Sequence, residues 1–396
     1  MAINIGIGLS LKEDPQQAAY EALQAARKDI HQQEVDLAVV FSSIELADPI
    51  ILKTIKTYLS ETPIIGSSGL AIISSQGIFK HGIIITLFSF PKDIYFNTAC
   101  IREIKTKGPL EAGQELGESL LYGFKGVHRD LSMVFCDGLI EGNQEFLNGL
   151  QQRVGKSFPL VGASASDNLR FSKTYIYFED QILSDTACGI LWGGKLNFGL
   201  GIKHGWKPLG KPRTVTKSSG NIIYEIENQP AAKLYEEYLS CNLDALKKEL
   251  SYISKFYPIG IYLPGEEEYL LRNILFIGND GSLHLQGEAS ENSQIRLMIG
   301  TKESCLEATR HALGEIKKDL GGNKLDLLFM FDSSSRYALL GRDSSKELQI
   351  IKEQMGEYTP VAGIYTYGEQ APLKAIDYQG RSYLHNQTIN LLAIGD

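Results

Sequence analysis

The 396-residue chain has no run of basic residues, only seven histidines, and no hydrophobic stretch of membrane length. Each absence removes a class of function. A formal net charge of −8 without a Lys/Arg cluster argues against nucleic acid or an anionic membrane as partner. The longest strongly apolar stretch, GIIITLFSF at 82–90, falls far short of the roughly 20 residues that cross a bilayer. The opening MAINIGIGLSLKED turns polar too early for a secretory signal, so a cytoplasmic protein is expected. Five cysteines, at 100, 136, 188, 241 and 305, are odd in number and include no CxxC pair. They are expected as buried reduced thiols, with no zinc site or dithiol exchange. GSSGLA at 66–71 lacks the lysine of a phosphate-binding loop, and no GxSxG elbow occurs.

What is present is a repeat. Asp-Leu-x-x-(Val or Met)-Phe occurs as DLAVVF from Asp36, DLSMVF from Asp130 and DLLFMF from Asp326. Each is a short apolar run of the kind a buried strand needs. A proline follows after 27, 29 and 34 residues, at Pro63, Pro159 and Pro360, and a glycine three residues later, at Gly66, Gly162 and Gly363. Amphipathic spacing predicts a helix before each strand (Ala19/Leu23/Ala26/Ile30, Leu116/Leu120/Phe124, Leu306/Leu313/Ile316/Leu320). A second helix is predicted between strand and proline. Asp48-Pro49 opens the first, Phe146/Leu147/Leu150/Val154 face the core in the second, and Leu348/Ile351/Met355 in the third. After each glycine, extended segments end in an apolar strand: HGIIITLF from His81, TACGILW from Thr186 and HNQTINLLAI from His385. His81 and His385 open their strands at matching points, which favours a structural role for both.

The expected fold is therefore α/β, with mixed sheets built from three helix–strand–helix–strand–hairpin units and the helices outside. Between the second and third units, roughly 195–295, the pattern changes. TVTKSSGNIIYEIENQP reads as a hairpin turning at Ser219-Gly220-Asn221, and PAAKLYEEYL as a helix led by proline. The division expected is 1–212, holding two units, and 213–396, holding the hairpin insertion and the third unit. The three proline–glycine corners are expected where strands leave the sheets, around a shared hollow.

PLVGASASDN followed by TYIYFED, then HGWKPLG, SSGNIIYEIENQPAAKLYEEYL and TYGEQAP with HNQTI, resemble the FIST family, a bacterial sensory module with N- and C-terminal halves. The likeness runs across nearly the whole chain. It implies an intracellular protein that binds a small ligand, amino acids having been suggested, and reports to a histidine kinase or a cyclic-dinucleotide enzyme. These 396 residues contain no transmitter segment, so the partner is expected to be a separate protein. Some members resemble haem proteins that sense nitric oxide, which makes haem b a cofactor to consider. Where a cysteine is expected ahead of Arg336, this chain has DSSSR, so no thiol role is carried over.

The candidate ligand residues are Asp167, Asn168, Trp206, Arg336, Tyr365, Tyr367 and Glu369. Arg336 suits a carboxylate clamp, or a salt bridge with Glu369 or Asp332. Tyr365, Tyr367 and Glu369 suit an amphipathic wall. His204, beside Trp206, is the candidate for haem iron, or else a histidine satisfied at a strand end. His31, His128 and His311 fall on helix ends or exposed faces. Asp137 and Glu141 form a weak cation pair. Ser67, Ser68, Ser164 and Ser166 with His204 are the raw material of a Ser/His hydrolase, the less favoured alternative to a non-enzymatic sensor.

Overall fold

A computed structural model describes residues 3–30, 34–266, 268–373 and 381–395. The three repeats fold as three like units. The first runs through an opening strand Asn4–Ser10, helix Pro15–Asp29, central strand Leu37–Ser43, helix Pro49–Tyr58, a proline–glycine strand Ile64–Gly69, a hairpin (Ile72–Ser74 with Gly77–Phe79) and a closing strand Ile83–Ser89. The second repeats this order with Tyr95–Arg102, Pro109–Leu121, Arg129–Cys136, Asn143–Val154, Leu160–Ser164, Ile176–Phe178 with Gln181–Leu183, and Thr186–Gly193. In the third the parts are Asn197–Lys203, Lys302–Leu320, Leu325–Ser333, Ser345–Met355, Val361–Thr366, Gly368–Pro372 with Ser382–His385, and Ile389–Gly395. A short extra helix, Ser334–Leu340, follows its central strand.

Local chemistry places these elements. Asp14 and Asp48 cap their helices by accepting from Gln17 N and Ile50 N, and proline fills the first helical position of both. The central strands are apolar on both faces because both are covered. Leu37, Val39 and Phe41 point into a core shared by all three units, whereas Ala38 and Val40 meet the first unit's helices. The second and third strands divide in the same way.

Each unit contributes four strands to a six-stranded sheet, in the order opening, closing, central, proline–glycine. The central and proline–glycine strands are parallel, and the other pairs are antiparallel. The last two strands of every sheet come from another unit. The second unit's hairpin completes the first sheet, the third unit's completes the second, and the first unit's completes the third. The three sheets are thus tied in a closed cycle. On the cycle's axis the three motif phenylalanines meet: Phe41, Phe135 and Phe331 lie with ring centroids 5.3, 5.9 and 5.7 Å apart, edge to face.

The repeated glycines sit inside the strands rather than at the turns expected for them. A Cβ on Gly66 or Gly162 would lie 1.8 Å from the backbone oxygen of Val40 or Val134, and one on Gly363 2.1 Å from that of Met330. The glycine lets the proline–glycine strand lie against its parallel partner.

The segment expected to differ, 195–295, contains the third unit's opening strand. The insertion follows it, at the point where the other units have only a short connection to their first helix. Its strands, including Lys207–Ser219, Ile222–Ile226, Ile259–Ile261 and Gln294–Ile299, form an eight-stranded sheet around their own core. The predicted hairpin is present, turning at Gly220. The helix after it begins at Lys233, and Pro230 pairs in a short strand instead of leading it. The expected division at 212/213 falls within the strand Lys207–Ser219. No helix among the described residues is long and apolar enough to cross a membrane.

Candidate functional site

The three proline–glycine strands end together. Ser166 Oγ accepts from Leu70 N at 2.9 Å and donates to Tyr365 O at 2.6 Å, while Ser68 Oγ donates to Ser166 O at 3.1 Å. Tyr367 N donates to Ser164 O. The corners converge as the repeat implied, but they meet in a buried hydrogen-bonded knot in place of the expected hollow. Ser68, Ser166 and Tyr365 are all fully buried.

Beside this knot, the third unit holds a buried charge cluster. Arg336 donates through Nε to Asp332 (2.7 Å), and through its terminal nitrogens to His204 O (2.8 Å), Cys305 O (3.1 Å), Thr309 Oγ1 (3.1 Å) and Glu347 Oε1 (2.5 Å). Arg336, Asp332 and Glu347 are all 0% exposed. Burial alone would lower the Arg336 pKa, but the two carboxylates outweigh it and raise it. Arg336 is therefore wholly engaged inside the fold: of the two salt-bridge partners expected for it Asp332 is present, and Glu347 replaces Glu369. Burial and the neighbouring Glu347 push Asp332 well above the ordinary range. Tyr365 reaches Glu347 through its hydroxyl at 3.4 Å.

Glu369 lies on the hairpin strand that follows, accepting from Thr366 Oγ1 at 2.7 Å and Thr388 N at 3.3 Å. Burial pushes its pKa up to about 8. A carboxyl raised in the folded state favours folding fully below its unfolded pKa, and that contribution is lost as pH rises through the folded value. Glu369 should therefore reduce stability progressively between about pH 4.5 and 8, by up to about 1.4 kcal/mol per pH unit. Denaturant unfolding across that range should show a shallower decline for Glu369→Gln than for the wild type; equal slopes would remove the assignment.

The second unit supplies the other half of the site. Asp167 is 2% exposed, and its carboxylate gathers the loop that follows it. Arg170 N, Phe171 N, Ser172 N and Lys173 N all donate to it at 2.9–3.2 Å, and the Tyr367 hydroxyl donates from the third unit. Burial pushes Asp167 up, but these donors outweigh it and hold the carboxyl below its ordinary range. The loop carries two non-glycine residues at positive φ, Leu169 (65°) and Phe171 (51°). Phe171, 53% exposed, stacks on Tyr367 with centroids 4.4 Å apart and planes at 9°. Asn168 turns the other way, to Glu45 in the first unit.

His204 and Trp206 lie on the far side of Arg336. The His204 Nδ1 accepts from Trp206 N at 2.9 Å, so Nε2 carries the proton and faces the Glu268 carboxylate, also at 2.9 Å. Burial raises Glu268, but His204 and Lys203 outweigh it and hold its pKa at about 2. Trp206 is buried and donates Nε1 to Lys255 O. A haem iron needs a free imidazole nitrogen beside room for a macrocycle. Here Nδ1 is taken by Trp206 N, and Nε2 is buried against the Glu268 carboxylate with no room beside it for a macrocycle among packed backbone, so these residues do not fit a haem.

The remaining candidates have local partners. Asp137 accepts from Leu139 N, Thr174 Oγ1 and Asp185 N. Among the described residues no group of three or more His, Cys, Asp and Glu is placed to hold a metal ion, and none of Ser67, Ser68, Ser164 or Ser166 is hydrogen-bonded to a histidine. Register pairs Ile83 with Ser42 and Ile389 with Asp332, which makes Gln387, and not His385, the counterpart of His81. His385 is buried on the hairpin, and burial brings its pKa down to about 4. His128 and His311 are exposed beside Asp130 and Glu307. His31 lies outside the described residues. Cys136, Cys188 and Cys305 are buried, Cys100 and Cys241 partly so.

Sequence reasoning missed Glu347 and Glu268. Glu347 had a signal: it lies three and four residues before Ile350 and Ile351, an acid on the apolar face of its helix. Glu268 sits in a polar loop and had none.

Comparison with known proteins places these features in a family. A FIST N domain model matches residues 36–229 and a FIST C domain model residues 231–372. An uncharacterized protein of Methanocaldococcus jannaschii is 25% identical over 205 residues, 49% of this chain and 39% of that protein. The chain thus spans well under half the length of that relative. An uncharacterized protein of Mycobacterium tuberculosis is 22% identical over 413 aligned residues, covering 100% of both chains. Among solved structures, a cyanuric acid hydrolase from A. caulinodans aligns over 99% of both chains at 7% identity with a TM-score of 0.40.

Proposed function

The chain belongs to the FIST family, whose domains are associated with sensing and signal transduction, and from that premise we propose that it binds a small amine-bearing ligand and passes the event to a separate signalling protein. The observation that carries the ligand reading is the 168–173 loop. Two side-chain-bearing residues are held there at positive φ by one carboxylate, and an exposed aromatic ring covers Tyr367. Backbone strain of this kind, about 1–3 kcal/mol per residue, collects at ligand clamps. Lifting the loop would free the Asp167 carboxylate and the Tyr367 hydroxyl, with Glu369 two residues on. An acceptor-only carboxylate at the hydroxyl end of the Tyr367 ring suits an ammonium group, as in an amino acid.

Tyr367 belongs to the third unit and Asp167 to the second, so a ligand that competes for their bond changes how the two units are joined. The signal is then a population shift between closed and lifted loops. Partners in keeping with the family are a histidine kinase or a cyclic-dinucleotide enzyme. A thermal-shift screen of amino acids and simple amines tests the reading, because a ligand at 100 times its Kd adds about 2.7 kcal/mol. A stabilising hit should lose its effect in Asp167→Asn. Hits that stabilise Asp167→Asn and the wild type equally would move the site elsewhere.

A further inference from the structure

We propose that the base of the third unit binds an extended peptide segment of a partner protein, through one backbone N–H and one apolar side chain. The three motif aspartates differ in one respect. Asp36 Oδ2 accepts from Phe90 N at 2.7 Å, and Asp130 Oδ2 accepts from Leu196 N at 3.0 Å. Both donors lie just past the closing strand of their own unit, and both side chains pack against the shared core. Asp326 holds the same place in the third unit. Its Oδ1 accepts from Lys324 Nζ at 2.9 Å, but its Oδ2 is buried and has no partner. A buried acceptor left unmet is unfavourable, and a backbone N–H is what the fold supplies to its two counterparts.

The surroundings differ in the same unit. In the first, Thr62 Oγ1, just before Pro63, donates at 2.8 Å to Val35 O, just before Asp36. In the second, the Arg129 guanidinium, just before Asp130, lies 5.4 Å from the centroid of the Phe158 ring, just before Pro159. Each contact closes the strand ends. In the third, Thr359 Oγ1 turns instead to Gly356 O at 2.8 Å. Between the ends of the helices Lys302–Leu320 and Ser345–Met355 an open groove of about 810 Å3 remains, its lining including Leu320, Leu325, Asp326, Met355, Tyr358 and Pro360. Tyr358 is 93% exposed, an aromatic ring with nothing packed over it.

The sequence assigns no apolar residue of its own to this slot. Leu37 pairs with Phe88 and Leu327 with Ile394, so the position two residues on is Phe90 in the first unit and Asp396 in the third. An acid suits neither an apolar groove nor a neighbouring carboxylate. The fitting occupant is an extended segment of another polypeptide. It would donate an N–H to Asp326 Oδ2 and lay an aliphatic or aromatic side chain among Leu325, Met355 and Tyr358.

Fluorescence anisotropy of the full chain with a labelled peptide of residues 88–94, FSFPKDI, tests this, because that segment fills the matching slot in the first unit. Saturable binding is expected. Asp326→Ala should weaken it roughly tenfold, and so should methylating the peptide's Phe90 nitrogen. Both changes together should cost no more than either alone, since they remove the same hydrogen bond. Tyr358→Ala, at an exposed position, should weaken binding severalfold. Asp167→Asn should bind the peptide as the wild type does, since that residue belongs to the loop proposed above. The assignment fails if the peptide does not bind saturably at millimolar concentration, if Asp326→Ala or the methylated peptide leaves affinity unaltered, or if Asp167→Asn abolishes binding. It also fails if sedimentation shows a dimer that Tyr358→Ala dissociates, which would give the groove to a second copy of this chain.

Discussion

Arg336→Met is expected to destabilise the protein by about 3–5 kcal/mol, the range found when one partner of a buried ion pair is removed. The melting temperature should fall by roughly 4–6 °C. Methionine fills much of the volume, so the effect is electrostatic: Asp332 and Glu347 remain fully buried without their guanidinium. Adding Asp332→Asn and Glu347→Gln should restore most of the loss, because the buried acids are then gone. Arg336→Lys should not, since one ammonium cannot span Asp332, Glu347, Thr309 and two carbonyls. Scanning calorimetry of the four proteins decides it. A methionine variant melting within a degree or two of the wild type would show that the cluster carries no uncompensated charge.

The second large effect is at the axis. Phe331→Ala should cost about 3–5 kcal/mol, because the ring is fully buried and its removal leaves a cavity where three sheets meet. It also removes edge-to-face contacts with Phe41 and Phe135 and a stacked contact with Phe329, each worth about 0.5–1.5 kcal/mol beyond area burial. Phe331→Leu, which keeps most of the volume, should cost far less. Pairing Phe331→Ala with Phe41→Ala should give less than the sum, since both open the same space. Urea unfolding measures all of these, and strict additivity would mean that the rings do not form one cluster.

Much of this fold was legible. The motif DLxxxF and its amphipathic neighbours identified strands and helices because period, capping aspartates and prolines act locally. The hairpin exchange was not legible. Strands such as Ile72–Ser74 and Ile176–Phe178 have three residues each, and three residues do not say which sheet they join. The opening strands of the first two units were also passed over; in the first, Gly6 and Gly8 are needed because helix Pro15–Asp29 packs directly on them. At the site, Tyr365, Tyr367, Glu369, Asp167 and Arg336 were read from sequence as ligand residues, and the fold buries all five. Their partners lie in other units, so sequence could not distinguish a residue that contacts ligand from one that joins units. Asp167 is the instructive case. Its loop supplies backbone donors, and backbone donors leave no trace in side-chain identity.

The cyclic loan of hairpins constrains how the molecule comes into being. The third sheet uses strands between residues 72 and 79, and the second uses Gly368–Pro372 and Ser382–His385, nearly 300 residues further along. The first sheet is complete by residue 183, but the second and third both wait for strands of the third unit, so the polypeptide cannot mature one module at a time. Such long-range pairing predicts slow, all-or-none refolding, and a single module cut from the chain would leave two neighbours with a torn edge.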